Sequence, residues 1–80
     1  MEFTLAGKKF NFSKESVSEA MYGIEPEVLR KHAVKINDTL YPCKQVISVV
    51  TGLSRADFNS HQAHQILKRT GLEVVVNNNG

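Results

Sequence analysis

The chain has a single cysteine, no tryptophan and two prolines among its 80 residues. With Cys43 alone no internal disulfide can form, which excludes a disulfide-stapled secreted module and fits a reducing compartment. No apolar run is long enough to cross a bilayer, and Met1 to Leu5 is followed by charge instead of the apolar core of a signal peptide. A cytoplasmic location without membrane contact is therefore expected. The sequence also lacks a glycine-rich phosphate loop, a dinucleotide fingerprint, an internal repeat and any carboxylate pair isolated in apolar sequence. No cofactor is expected, and catalysis is the minor reading.

What is present describes one small folded domain. Hydrophobic residues make up 41% and charged residues 22%, ordinary values for a globular chain and unlike those of a disordered one. Ten basic residues against eight acidic ones leave a net charge of +2, too little for a field that attracts polyanions from every side. The distribution is more informative. Over residues 1–40 the two signs balance, whereas over 41–80 Lys44, Arg55, Lys68 and Arg69 face only Asp57 and Glu73, with His61 and His64 in addition. A positive excess confined to the second half suits a local contact with phosphate.

Along the chain, Phe3 to Phe12 alternates apolar and polar residues on either side of Ala6-Gly7, which predicts a hairpin with Phe3, Leu5, Phe10 and Phe12 facing one core. Ser13 is a candidate N-cap for a helix to about Tyr22, with Val17, Ala20 and Met21 on one face and Gly23 as its stop. Pro26 is expected to open a short second helical turn that buries Val28 and Leu29. Ala33 to Tyr41 predicts another hairpin. Asn37 and Asp38 tolerate the left-handed turn, and a two-residue loop would set Val34 opposite Tyr41 and Ile36 opposite Thr39.

Val46, Ile47, Val49 and Val50 are β-branched and would also suit a buried strand. Pro42 at the start, Thr51-Gly52 at the end and a stripe of Val46, Val49 and Val50 favour a helix. Ser54 to Asp57 supports one turn at most. A last helix capped by Ser60 would turn Ala63, Ile66 and Leu67 inward and end at Gly71, with Lys68 and Arg69 complementing its dipole. A strand over Glu73 to Val76 completes an α+β fold. It is expected to be a small single domain over 1–76, with short β-hairpins, a C-terminal strand and about three helices, followed by a loose polar tail at 77–80.

The candidate site is the stretch Leu40 to Val46, read as a hairpin end turning directly into a helix. An aromatic ring, a pyrrolidine ring and Lys44 sit at a helix N-terminus, where free N–H groups and the dipole favour an anion. Tyr41, Pro42, Lys44, Gln45, Arg55, Ser60 and His61 would converge there, with His64 and Lys68 extending a strip along DNA backbone. Each of them also has a plain structural reading as cap, core residue or solvated charge. His61 and His64 lie on one helix face, but a closed metal site is not expected because no second ligand pair exists. Cys43 beside Lys44 would have a lowered thiol pKa if exposed, and a buried structural cysteine is the favoured reading.

Tyr41-Pro42-Cys43-Lys44-Gln45-Val46-Ile47, then Asp57-Phe58-Asn59-Ser60-His61, then Ile66 to Val74 resemble the sulfur-binding domain of type IV restriction endonucleases. The resemblance covers roughly the second half of the chain. It implies a non-catalytic module that recognises duplex DNA whose backbone carries a phosphorothioate. The sulfur would rest on an apolar shelf of Tyr41 and Pro42, with Gln45 standing where a smaller residue is usual, while Lys44, Arg55 and amides near Ser60 and His61 would hold the phosphate. Sulfur is larger, softer and less strongly hydrated than oxygen, so apolar surface costs less against it. Asn59-Ser60-His61 stands where the family tends to have Ser-Gly-Gly, and Leu72 where Phe is usual. These 80 residues contain no counterpart of the family's nuclease domain, so cleavage is expected to come from a nuclease partner. Plain DNA or RNA binding, a protein-interaction module and a cysteine-dependent enzyme remain the alternatives.

Overall fold

Asn37 (φ 53°) and Asp38 (φ 65°) both adopt the left-handed backbone that a two-residue hairpin loop demands. They join β3 (His32–Ile36) to β4 (Thr39–Pro42), which pair antiparallel with Ile36 opposite Thr39, Val34 opposite Tyr41 and Ala33 opposite Pro42. This is the register predicted from the short loop. The computed structural model describes residues 1–76, and the tail predicted at 77–80 lies outside them. On the other side of β3, β5 (Glu73–Val76) adds antiparallel, so the sheet order is β4-β3-β5. The first hairpin, β1 (Glu2–Leu5) and β2 (Lys8–Asn11), turns at Ala6-Gly7 and forms a separate two-stranded sheet.

Helices close the other side of the core. α1 (Lys14–Ala20) starts at Ser13, whose side chain accepts from the Ser16 N–H while Ser16 Oγ accepts from the Ser13 N–H. α2 (Cys43–Thr51) follows β4 without a linker, and Gly52 ends it in the left-handed conformation at φ 77°. A short 3-10 turn over Arg55–Asp57 is capped by Ser54. α3 (Ser60–Arg69) packs against α2, β3 and β5. Val17, Met21, Val34, Val46, Ile47 and Leu67 are fully buried where these elements meet. Fully burying one such side chain contributes about 1.5–3 kcal/mol relative to leaving it exposed. The fold is α+β, with three α-helices and five strands in two antiparallel sheets among the described residues.

Several local expectations are corrected. Residues 24–31 form no helical turn, Val28 is 80% exposed and Leu29 only half-buried. The physical reason is nonlocal: side chains of the β4–α2 junction capture the backbone at Ile24, Glu25 and Glu27 and leave it irregular. Ala20 is exposed, so the inward face of α1 is carried by Val17 and Met21. In α2 the stripe rotates onto Cys43, Val46 and Ile47, and Val49 is 39% exposed. Pro42 is the N-cap of α2, one position earlier than expected, because it is still paired in β4. Asn59 caps α3 in place of Ser60: its side chain accepts from the Gln62 N–H while its own N–H donates to Gln62 Oε1.

Candidate functional site

The pairing of Ala33 with Pro42 brings the residues just before β3 alongside the start of α2. Two adjoining hollows result, and both are lined by Arg30, Pro42 and Lys44. One, of about 380 Å³, adds Glu27, Val28, Gln45 and Arg55. The other, of about 490 Å³, adds Lys31, His32 and Ser60. Arg30, Lys31, Lys44 and Arg55 thus border two hollows that share a wall. Pro42, though buried, is part of the lining of both hollows, and Lys44 Nζ lies 5.5 Å from the centre of the Phe58 ring, a cation resting over an aromatic face. No side chain caps α2, which leaves the amides of its first turn free of a side-chain partner at the edge of the groove. Such amides favour an anion, as the cations do.

The wall carrying Arg30 is fastened from below. Gln45 is 4% exposed; its Nε2 donates to the Glu25 carbonyl and its Oε1 accepts from the Glu27 N–H, each at 2.9 Å. Tyr41 is also 4% exposed, and its hydroxyl donates to the carbonyls of Ile24 at 2.9 Å and Met21 at 3.3 Å. Arg55 closes the far rim through a two-pronged ion pair with Glu27. That pair holds the Glu27 carboxyl below the usual carboxylate range and pushes the Arg55 guanidinium further up.

The predicted site residues are therefore sorted as follows. Pro42 and Lys44 line the groove and Ser60 its second hollow, but Pro42 is itself buried, as Tyr41 and Gln45 are, so the expected exposed shelf of two rings is not present. Tyr41 belongs to the core because two main-chain carbonyls accept its hydroxyl, and the shelf expected from its ring reduces to Pro42. Gln45 is held inward by the loop that it fastens, and Arg55 is engaged by Glu27. His61 and Lys68 are exposed on α3 and His64 is half-buried. Cys43 is fully buried, and burial pushes its thiol up to about 12, the setting of a structural cysteine and not of an activated thiolate.

Sequence reasoning missed Arg30, Lys31 and His32. The hairpin register contained the signal: with Ala33 opposite Pro42, the run Arg30-Lys31-His32 must lie beside the start of α2. His32 also meets the helical histidines. Its Nδ1 lies 3.2 Å from His64 Nδ1, and its ring centre lies 4.7 Å from that of His64 and 6.4 Å from that of His61. Among the described residues, no group of three or more His, Cys, Asp or Glu side chains is arranged to hold a metal ion, and no helix is long and apolar enough to cross a membrane.

No curated protein and no solved structure matches the chain. Over residues 1–79 it matches the SCO5918-like family, and it belongs to that family.

Proposed function

We propose that this member of the SCO5918-like family is a non-catalytic module that binds the backbone of duplex DNA, with preference for phosphorothioate linkages. The observation that carries the reading is the meeting of Arg30, Lys31 and Lys44 around the largely buried ring of Pro42, at the uncapped start of α2. Cations and amides together suit a phosphodiester, whose charge they neutralise and whose oxygens they bond. A sulfur in place of one oxygen would rest against Pro42, the one ring of the expected shelf that lines the groove. Pro42 offers no hydrogen bond that a sulfur would have to forgo. Strand cleavage would come from a separate nuclease.

Binding to ordinary backbone without sulfur preference is the second reading, favoured by the burial of Tyr41. One titration separates the two: the protein against a single duplex with and without one phosphorothioate of defined stereochemistry, over a range of salt. Tighter binding of one sulfur stereoisomer supports the proposal. Equal affinities with a steep salt slope leave generic backbone binding, and no affinity for either duplex removes nucleic acid as the partner.

A further inference from the structure

We propose that the His32–His64 imidazole pair is the proton-accepting part of this groove and takes up one proton when a phosphodiester anion settles beside His32. The inference rests on the nucleic-acid reading of the groove and adds to it a coupling between binding and pH. A contact of 3.2 Å between two Nδ1 atoms requires one ring to donate its N–H and the other to accept through its lone pair. A first proton can add at Nε2 of the donor ring and leave that bond intact. A second must add at the accepting Nδ1 and break it. The pair is therefore a store for one proton.

Among the described residues, the charged groups around the pair are mostly cationic in the free protein. His32 lines its hollow with Arg30, Lys31 and Lys44, all cationic. α3 contributes His61, Lys68 and Arg69 besides His64; β4 has no charged residue, and α2 has Lys44. Among the described residues, Glu73 on β5 is the one carboxylate of the elements packed around β3, and it pairs opposite Lys35, away from the His32 end, where Val76 is the partner; Glu27, in the adjoining hollow, is engaged by Arg55. Burial, and then the neighbouring His32, Lys68 and His61, hold His64 below the ordinary histidine range. An anion in the hollow reverses the sign of the local field. By linkage, whatever the anion does to favour the proton, the proton does to favour the anion.

Calorimetry of the whole chain with a short ordinary duplex, at about pH 6.5 in two buffers of different ionisation enthalpy, reads the coupling directly. The heats should differ by an amount that corresponds to uptake of up to one proton, and affinity should rise as pH falls, by at most about tenfold per pH unit. His64→Gln should abolish the difference between buffers. Should that variant not fold, the imidazole pKa values of the wild-type protein, followed by NMR with and without duplex, must rise on binding. Binding with identical heats in both buffers and unshifted imidazoles would overturn the proton coupling and leave the groove intact. Absence of binding at every pH would overturn the nucleic-acid reading and the coupling with it.

Discussion

The side-chain Oε1 of Gln45 accepts the main-chain N–H of Glu27 at 2.9 Å. Through this bond, and its counterpart from Nε2 to the Glu25 carbonyl, the helix that presents Lys44 also fixes the irregular segment leading to Arg30 and Lys31. The groove thus depends on a buried carboxamide one position from the half-buried Lys44. Gln45→Leu fills similar space but deletes both bonds and leaves a backbone donor and acceptor without their partners. It should cost about 1–3 kcal/mol in urea unfolding and weaken duplex binding. Unchanged stability would show that the segment is held by other means.

Tyr41→Phe keeps the ring in the core and removes only the hydroxyl that bonds Ile24 and Met21. A stability loss of about 1 kcal/mol is expected, with duplex affinity unchanged once folding is allowed for. A loss of affinity at unchanged stability would place the hydroxyl in the interface and restore the two-ring shelf.

Cys43 should resist alkylation in the native protein at neutral pH, because its buried thiol is pushed up to about 12 and little thiolate forms. Labelling should follow unfolding, and keep pace with it as urea is raised. Rapid labelling without denaturant would contradict the buried placement.

Glu27 holds Arg55 in an ion pair, and on the proposed reading a DNA phosphate would have to displace Glu27. Its carboxyl lies lower in the folded chain than in the unfolded one, so the ion pair stabilises the fold above the ordinary carboxylate value of 4.5 and loses that contribution as pH falls through the folded value. Glu27→Gln should flatten this acid-side loss in a thermal-melting series. It should also release Arg55 to phosphate, tightening duplex binding and steepening the salt slope by roughly 0.9. Weaker binding in the variant would mean that the ion pair positions Arg55 for the ligand.

Features settled within a few residues were legible in the sequence. Asn37-Asp38 announces its turn, the turn sets the register, and Gly52 and Gly71 lie just past the ends of their helices. Pro42 and Gly52 bracket the β-branched run as a helix, with Pro42 at its N-cap. Features decided by distant partners were not legible. Nothing near Tyr41 in the chain reveals that the carbonyls of Met21 and Ile24 wait for its hydroxyl, nor that Val28 is left exposed once Gln45 has drawn its neighbours into an irregular path. Of the groove, Pro42 and Lys44 were found from their local setting, whereas Arg30 and Lys31 needed the hairpin pairing to be carried three residues past the strand.

The salt dependence of duplex binding, compared between the wild-type chain, Arg30→Ala and Lys44→Ala, tests the groove most directly. If these side chains grip phosphates, each substitution should lower affinity and make the plot of log K against log salt shallower by roughly 0.9, while Lys8→Ala, on the first hairpin and outside the lining of both hollows, should leave it unchanged. Slopes that are the same for all four proteins would contradict the account.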